Sequence, residues 1–122
     1  MRGLTIDSAD LYGHGASSAK FKAGLKLAKA SRDELYIQSK GGIVSENDGD
    51  IPYGNRYNFS KQHLIAAVDG ELQRLGVDYL DSFLLHRPDP LMEPAEIAEA
   101  LMNYKRRAKY GISGCPTLTR CK

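Results

Sequence analysis

The sequence predicts an α/β fold built on a parallel sheet, and three observations carry that reading. Along the 122 residues, strand and helix candidates alternate in the order β-α-β-α-β-α. This is the pattern of parallel strands joined by right-handed helical crossovers. Each strand candidate is a short apolar or alternating run that stops at a polar or ionisable residue: Asp7, Lys40 and His86 in turn. The longest helix candidate keeps its apolar residues on one face at helical spacing.

The elements follow from local chemistry. Gly3-Leu4-Thr5-Ile6 is a β-type run ending at Asp7. Ala19 to Ala30 reads as a helix, with Phe21, Leu25 and Leu27 among four lysines and Ser17 or Ser18 as its cap. Glu34 to Lys40 is a strand stopped by Gly41-Gly42. A long polar loop, Val44 to Phe59, follows; a loop of more than ~12–15 residues in a compact domain usually has a function. Ser60 caps the next helix, whose apolar face is Leu64, Ile65, Val68, Leu72 and Leu75, and Gly76 ends it. Tyr79 to Leu85 is a strand ending at His86, and Arg87-Pro88-Asp89-Pro90 breaks the chain. Pro94, flanked by Glu93 and Glu96, opens a last helix carrying Ile97 and Leu101.

The C-terminal ends of parallel strands are where α/β folds gather chemistry. Asp7, Lys40 and His86 are therefore expected to be neighbours in space. Taken singly, each has an ordinary explanation: a turn aspartate, a solvated lysine, a hydrogen-bonded structural histidine. The expectation rests on the three coinciding.

Composition sets the bounds. Apolar residues make up 42 % and charged residues 26 %, with a net charge of +2, the proportions of a globular protein. No apolar run approaches the ~20 residues of a membrane span. The first residues contain no stretch of signal-peptide type, so a cytoplasmic location is expected. His14, His63 and His86 lack metal-ligand spacing, and Cys115 and Cys121, with no histidine between them, do not make a zinc site. Charge is uneven: residues 103–122 hold six basic side chains and no acidic one. That tail lacks the interleaved aromatics of single-strand binders, so neither nucleic acid nor membrane is expected as a partner. Tyr36-Ile37-Gln38-Ser39-Lys40 fits the Tyr-x-x-x-Lys pair of short-chain dehydrogenases. On a strand the two residues stand ~13 Å apart, so the match is read as coincidental.

Asp7-Ser8-Ala9-Asp10-Leu11-Tyr12-Gly13, with Ser39-Lys40 and Leu84-Leu85-His86, resembles the aldo-keto reductase family, most closely its bacterial members. The family signature Asp-x-Ala-x-x-Tyr-Gly follows the second strand, a lysine ends the third and a histidine ends the fourth. Leu72 to Asp81 and His86-Arg87-Pro88-Asp89 are similar to family text as well, so the resemblance covers residues 2 to about 102. It implies a (β/α)8 TIM barrel, of which this chain holds three βα units, the second to the fourth. It implies NADPH as cofactor and a small-molecule aldehyde or ketone as substrate. Asp7, Tyr12, Lys40 and His86 are the implied catalytic residues, with Asp7 also at the cofactor. Hydride addition to a carbonyl builds negative charge on oxygen. A phenol can then donate the proton, a neighbouring lysine cation favours the phenolate, and an imidazole can hydrogen-bond the oxygen.

A barrel of this type takes ~250 residues. The resemblance places most of the cofactor site on later strands, so the 122 residues by themselves are expected to be inactive. A non-catalytic pseudoenzyme or interaction fragment of the same family is the alternative, with open sheet edges as a route to self-association. After the last helix the family reads Gly-Lys-Val-Arg-(Tyr/His)-Phe-Gly-Val-Ser-Asn, whereas this chain reads Arg107-Ala-Lys-Tyr-Gly-Ile-Ser-Gly-Cys-Pro-Thr117. A codon frame displaced by one nucleotide from Lys109 onward admits the family residues in order. The expected division is thus 1–102 as partial barrel and 103–122 as a basic, out-of-frame and poorly structured tail.

Overall fold

The computed structural model describes residues 4–45, 56–87 and 89–107. Strands β1 (Leu4–Asp7), β2 (Leu35–Gly41) and β5 (Ser82–Leu85) form one parallel sheet in the order β1-β2-β5. Helices α1 (Ala16–Ala28), α2 (Lys61–Leu75) and α3 (Pro94–Arg107) alternate with them. The predicted β-α-β-α-β-α order and parallel sheet are what the chain adopts. Two short strands, β3 (Ile43–Val44) and β4 (Arg56–Tyr57), pair antiparallel and clamp both ends of the long polar loop. Most of that loop, residues 46–55, lies outside the described residues.

Strand β2 is central, and its residues alternate strictly between the two faces. Leu35, Ile37, Ser39 and Gly41 are buried, while Tyr36, Gln38 and Lys40 are half-buried on the opposite face. Period-2 alternation of this kind is the signature of a strand covered on one side. The core contains Ile6, Leu35 and Ile37, with Leu64, Val68 and Leu75 from α2 and Ile97 and Tyr104 from α3. The Tyr36–Lys40 segment is indeed a strand, as the reading of that motif required.

Helix α2 has the predicted ends. The Ser60 hydroxyl accepts a hydrogen bond from the His63 amide at 3.3 Å, and Gly76 takes the left-handed conformation (φ 68°) and returns its N–H to Leu72 at 2.8 Å. Helix α1 departs from expectation. It begins at Ala16, with left-handed Gly15 (φ 83°) as its N-cap and no side-chain cap. The 3-10 turn Tyr12–Gly15 feeds directly into it, so Ser17 and Ser18 fall inside the helix. Phe21 and Leu25 pack on the core, but Leu27 is exposed.

The third parallel strand starts later than Tyr79. Asp81 explains this: its amide donates to the Ile37 carbonyl at 2.8 Å, and its carboxylate accepts from the Ile37 amide at 2.8 Å and from Arg32 at 2.8 Å. A buried side chain thus takes over one rung of the ladder. Helix α3 runs to Arg107 with Tyr104 buried, so the segment set apart at residue 103 begins inside a helix, and residues 108–122 lie outside the described residues. No described helix is long and apolar enough to cross a membrane.

Candidate functional site

The parallel register brings the strand ends together. Asp7 stands opposite Gln38, and Gln38 opposite Ser82. A polar row crosses the three strands on the face away from the helices: Ser82 Oγ donates to Gln38 Oε1 (3.1 Å), and Gln38 Nε2 donates to Asp7 Oδ1 (3.0 Å). Lys40, two residues further along the same face, donates from Nζ to Asp7 Oδ1 at 2.8 Å.

Backbone bonds to the end of β2 deliver the other two groups. Ser8 N–H donates to the Gln38 carbonyl (2.9 Å), and Asp10 N–H to the Lys40 carbonyl (3.0 Å). The chain therefore stays zipped to β2 beyond β1, until the turn that carries Tyr12. On the other side His86 N–H donates to the Gly41 carbonyl at 2.8 Å. Tyr12 and His86 meet edge to face with ring centroids 5.9 Å apart, and Lys40 Nζ lies 5.4 Å from the Tyr12 ring centre. All four residues singled out from the sequence, Asp7, Tyr12, Lys40 and His86, thus stand in one cluster.

The charges in the cluster support one another. Burial alone disfavours the Asp7 anion, but hydrogen bonds from Lys40 and Gln38, and the Lys40 charge, hold its carboxyl below the ordinary range. Burial likewise disfavours the Lys40 cation. The bond and charge of Asp7 override this, with a further contribution from Tyr12, and hold the ammonium above its ordinary value. The pair therefore adds stability above the ordinary carboxylate range, about 4, and loses it as pH falls through the lowered carboxyl value. It loses it again as pH rises beyond the ordinary lysine range, about 10. Solvent around Asp7, which is 54 % exposed, keeps that contribution small.

His86 is pushed below the ordinary histidine value, first by burial, then by the Lys40 and Arg87 charges, against an opposing pull from Asp7. The unfolded chain therefore takes up this proton at a higher pH than the folded one. His86 costs no stability above about pH 6.5 and destabilises progressively as pH falls through the lowered folded value. The urea midpoint is expected to drop between pH 7.5 and pH 5, and His86→Gln to flatten that drop. An unchanged slope in the variant would show that His86 does not titrate this way.

Tyr12 and His86 line a cleft of about 280 Å³, whose wall includes Arg56 and Tyr57 of β4 and Arg87. Sequence reading missed Gln38, Arg56, Tyr57 and Arg87 as members of this region. The length of the polar loop was the signal for Arg56 and Tyr57. A polar residue on the half-buried face of β2 was the signal for Gln38. Among the described residues no group of three or more metal-ligating side chains is found.

Comparison with known proteins bears on this arrangement. The family model described as "Aldo/keto reductase family" matches residues 2–117, running past residue 102 into the basic segment. The chain is 38 % identical over 113 residues to an uncharacterized oxidoreductase of Bacillus subtilis, YcsN, covering 89 % of this chain and 38 % of that protein. It is 37 % identical over 112 residues to the Escherichia coli oxidoreductase YdhF, covering 89 % of this chain and 37 % of the relative. Among solved structures it superimposes on the aldo-keto reductase AKR11C1 of Bacillus halodurans, in its holo form. The TM-score is 0.72 and the identity 28 %, covering 85 % of this chain and 33 % of that one. The chain thus spans less than two fifths of the length of these relatives, and it forms part of the barrel.

Proposed function

We propose that the chain, which belongs to the aldo/keto reductase family, carries the proton-donating side of an NADPH-dependent carbonyl reductase and that its 122 residues are inactive by themselves. The observation that supports this is the gathering of Asp7, Tyr12, Lys40 and His86 at the C-terminal ends of three parallel strands, with Tyr12 and His86 lining one cleft.

The residues present fit the reacting end of a nicotinamide. A hydroxyl, an ammonium and an imidazole stand at the strand ends, and His86 Nδ1 is buried with no hydrogen-bond partner among the described residues. Asp7 is the residue of this chain assigned to touch the cofactor. When bound, the reduced nicotinamide supplies the hydride. The chain supplies the rest. His86, kept neutral by its surroundings, hydrogen-bonds the substrate carbonyl and orients it. Tyr12 donates the proton to the oxygen as charge develops there. Lys40 stays charged through Asp7 and steadies the phenolate that remains.

The test uses two proteins. The 122-residue chain is titrated with NADPH by fluorescence and assayed with an aldehyde; neither binding nor turnover is expected. Residues 4–104 are then placed in the B. halodurans reductase in exchange for its matching segment, and this hybrid is expected to bind NADPH and reduce the aldehyde. Turnover by the 122 residues alone overturns the proposed inactivity. A folded hybrid that binds NADPH but reduces nothing overturns the reductase reading.

A further inference from the structure

Gln38 lies at the centre of the sheet face that carries the site. It stands opposite Asp7 on one side and Ser82 on the other, so the three side chains form a row across adjacent strands. Its amide is held at both ends: Nε2 donates to Asp7 Oδ1 at 3.0 Å, and Oε1 accepts from the buried Ser82 hydroxyl at 3.1 Å. An ionised carboxylate only accepts, so it fixes which end of the amide faces it, and Ser82 secures the other end. The Gln38 bond falls on the same oxygen that takes the Lys40 ammonium at 2.8 Å. Asp7 is 54 % exposed, and an exposed ion pair gives up side-chain freedom to hold one geometry. A second donor on that oxygen limits the turning of the carboxylate and so offsets part of that cost. On a half-buried face of a strand an apolar β-branched side chain packs as well as glutamine. What glutamine adds here is two directed ends, one of them on the partner of Lys40.

We infer that Gln38 is a positioning residue: it holds the Asp7 carboxylate in the orientation that keeps the Lys40 ammonium beside Tyr12, and Ser82 holds Gln38 in turn. Its consequence for catalysis rests on the reductase reading, but the holding itself is measured without turnover. Several groups face this pair. Burial raises the Asp7 carboxyl, and the bonds from Lys40 and Gln38, then the Lys40 and His86 charges, bring it below the ordinary range. Lys40 also faces Tyr12, and His86 feels the Lys40 and Arg87 charges. Gln38 carries no charge at any pH, so its replacement by methionine, which is close in size, removes the hydrogen bonds and leaves the charges of the site unchanged.

The 122-residue chain is titrated by NMR, following the Asp7 carboxyl carbon and the Lys40 ε-carbon. In Gln38→Met the Asp7 midpoint is expected to move up and the Lys40 midpoint down, each towards its ordinary value. Ser82→Ala, which keeps the amide but frees its far end, is expected to move both in the same directions by less. Should Gln38→Met not fold, Ser82→Ala decides alone. In the hybrid reductase Gln38→Met is expected to lower kcat roughly tenfold, the scale of one hydrogen bond to a charged group, with the KM for the aldehyde unchanged. A loss of stability with both midpoints unmoved makes Gln38 an ordinary sheet residue and overturns the inference. So does a kcat within twofold of the parent hybrid. A parent hybrid that binds NADPH without turnover overturns the reductase reading instead, and the two midpoints still report whether Gln38 holds the pair.

Discussion

Replacing Tyr12 with phenylalanine in the hybrid reductase is expected to lower carbonyl reduction by about 10²–10⁴-fold, the usual worth of a positioned acid, while NADPH affinity stays within error. The size of the loss follows from what the neighbours cannot do. His86 is held neutral, by burial first and then by Lys40 and Arg87, so it has no spare proton to give near neutral pH. Lys40 is held protonated by Asp7, so transfer of its proton is uphill. With the hydroxyl gone no substitute donor is at hand, and the phenyl ring still fills the space against His86. The measurement is kcat and NADPH dissociation constant on the same preparation. A variant that keeps a tenth or more of the wild-type rate would remove Tyr12 from the role of proton donor.

Glu71→Ala is expected to destabilise the chain by about 3 kcal/mol or more, against about 1 kcal/mol for Ser39→Ala. Glu71 is fully buried on α2, inside what is otherwise an apolar face. Its carboxylate accepts from Ser18 at 3.0 and 3.1 Å, from Ser39 at 2.8 Å and from Arg74 at 3.0 Å, and Ser18 is itself bonded to Ser8 at 3.0 Å. Removing the carboxylate strands two buried hydroxyls and the guanidinium, whereas removing the Ser39 hydroxyl costs one bond and leaves the other donors in place. Ser8 follows Asp7 and Ser39 precedes Lys40, so the network braces, from behind the sheet, the strand ends that hold the ion pair. Urea unfolding of the two single variants and the double variant measures it. A double variant no more stable than the sum of the singles predicts would show that Glu71 and Ser39 are not coupled.

The sequence by itself determined what depends on neighbours along the chain. Ser60 and Gly76 bound α2 because capping and left-handed turns are matters of a few adjacent residues. The alternation through β2 was legible because a strand covered on one side imposes a period of two. Asp7, Lys40 and His86 were legible because each ends a strand and a parallel sheet carries all its C-terminal ends to one edge, whereas Tyr12 was legible only through the resemblance to the family signature. Tertiary structure decided the rest. Glu71 is enclosed by Ser18 from α1 and Ser39 from β2, and no local pattern marks a carboxylate whose donors lie 53 and 32 residues away. Asp81 delayed the start of β5 by bonding to Ile37, 44 residues back. Gly15 replaced the serines as the cap of α1 because the 3-10 turn Tyr12–Gly15 runs straight into the helix and leaves Ser17 and Ser18 inside it. Arg56 and Arg87 line one cleft only because the β3–β4 pairing sets Arg56 beside Val44, just past the end of β2. Charge along a chain is local, but the potential in a cleft is summed over whatever the fold brings there.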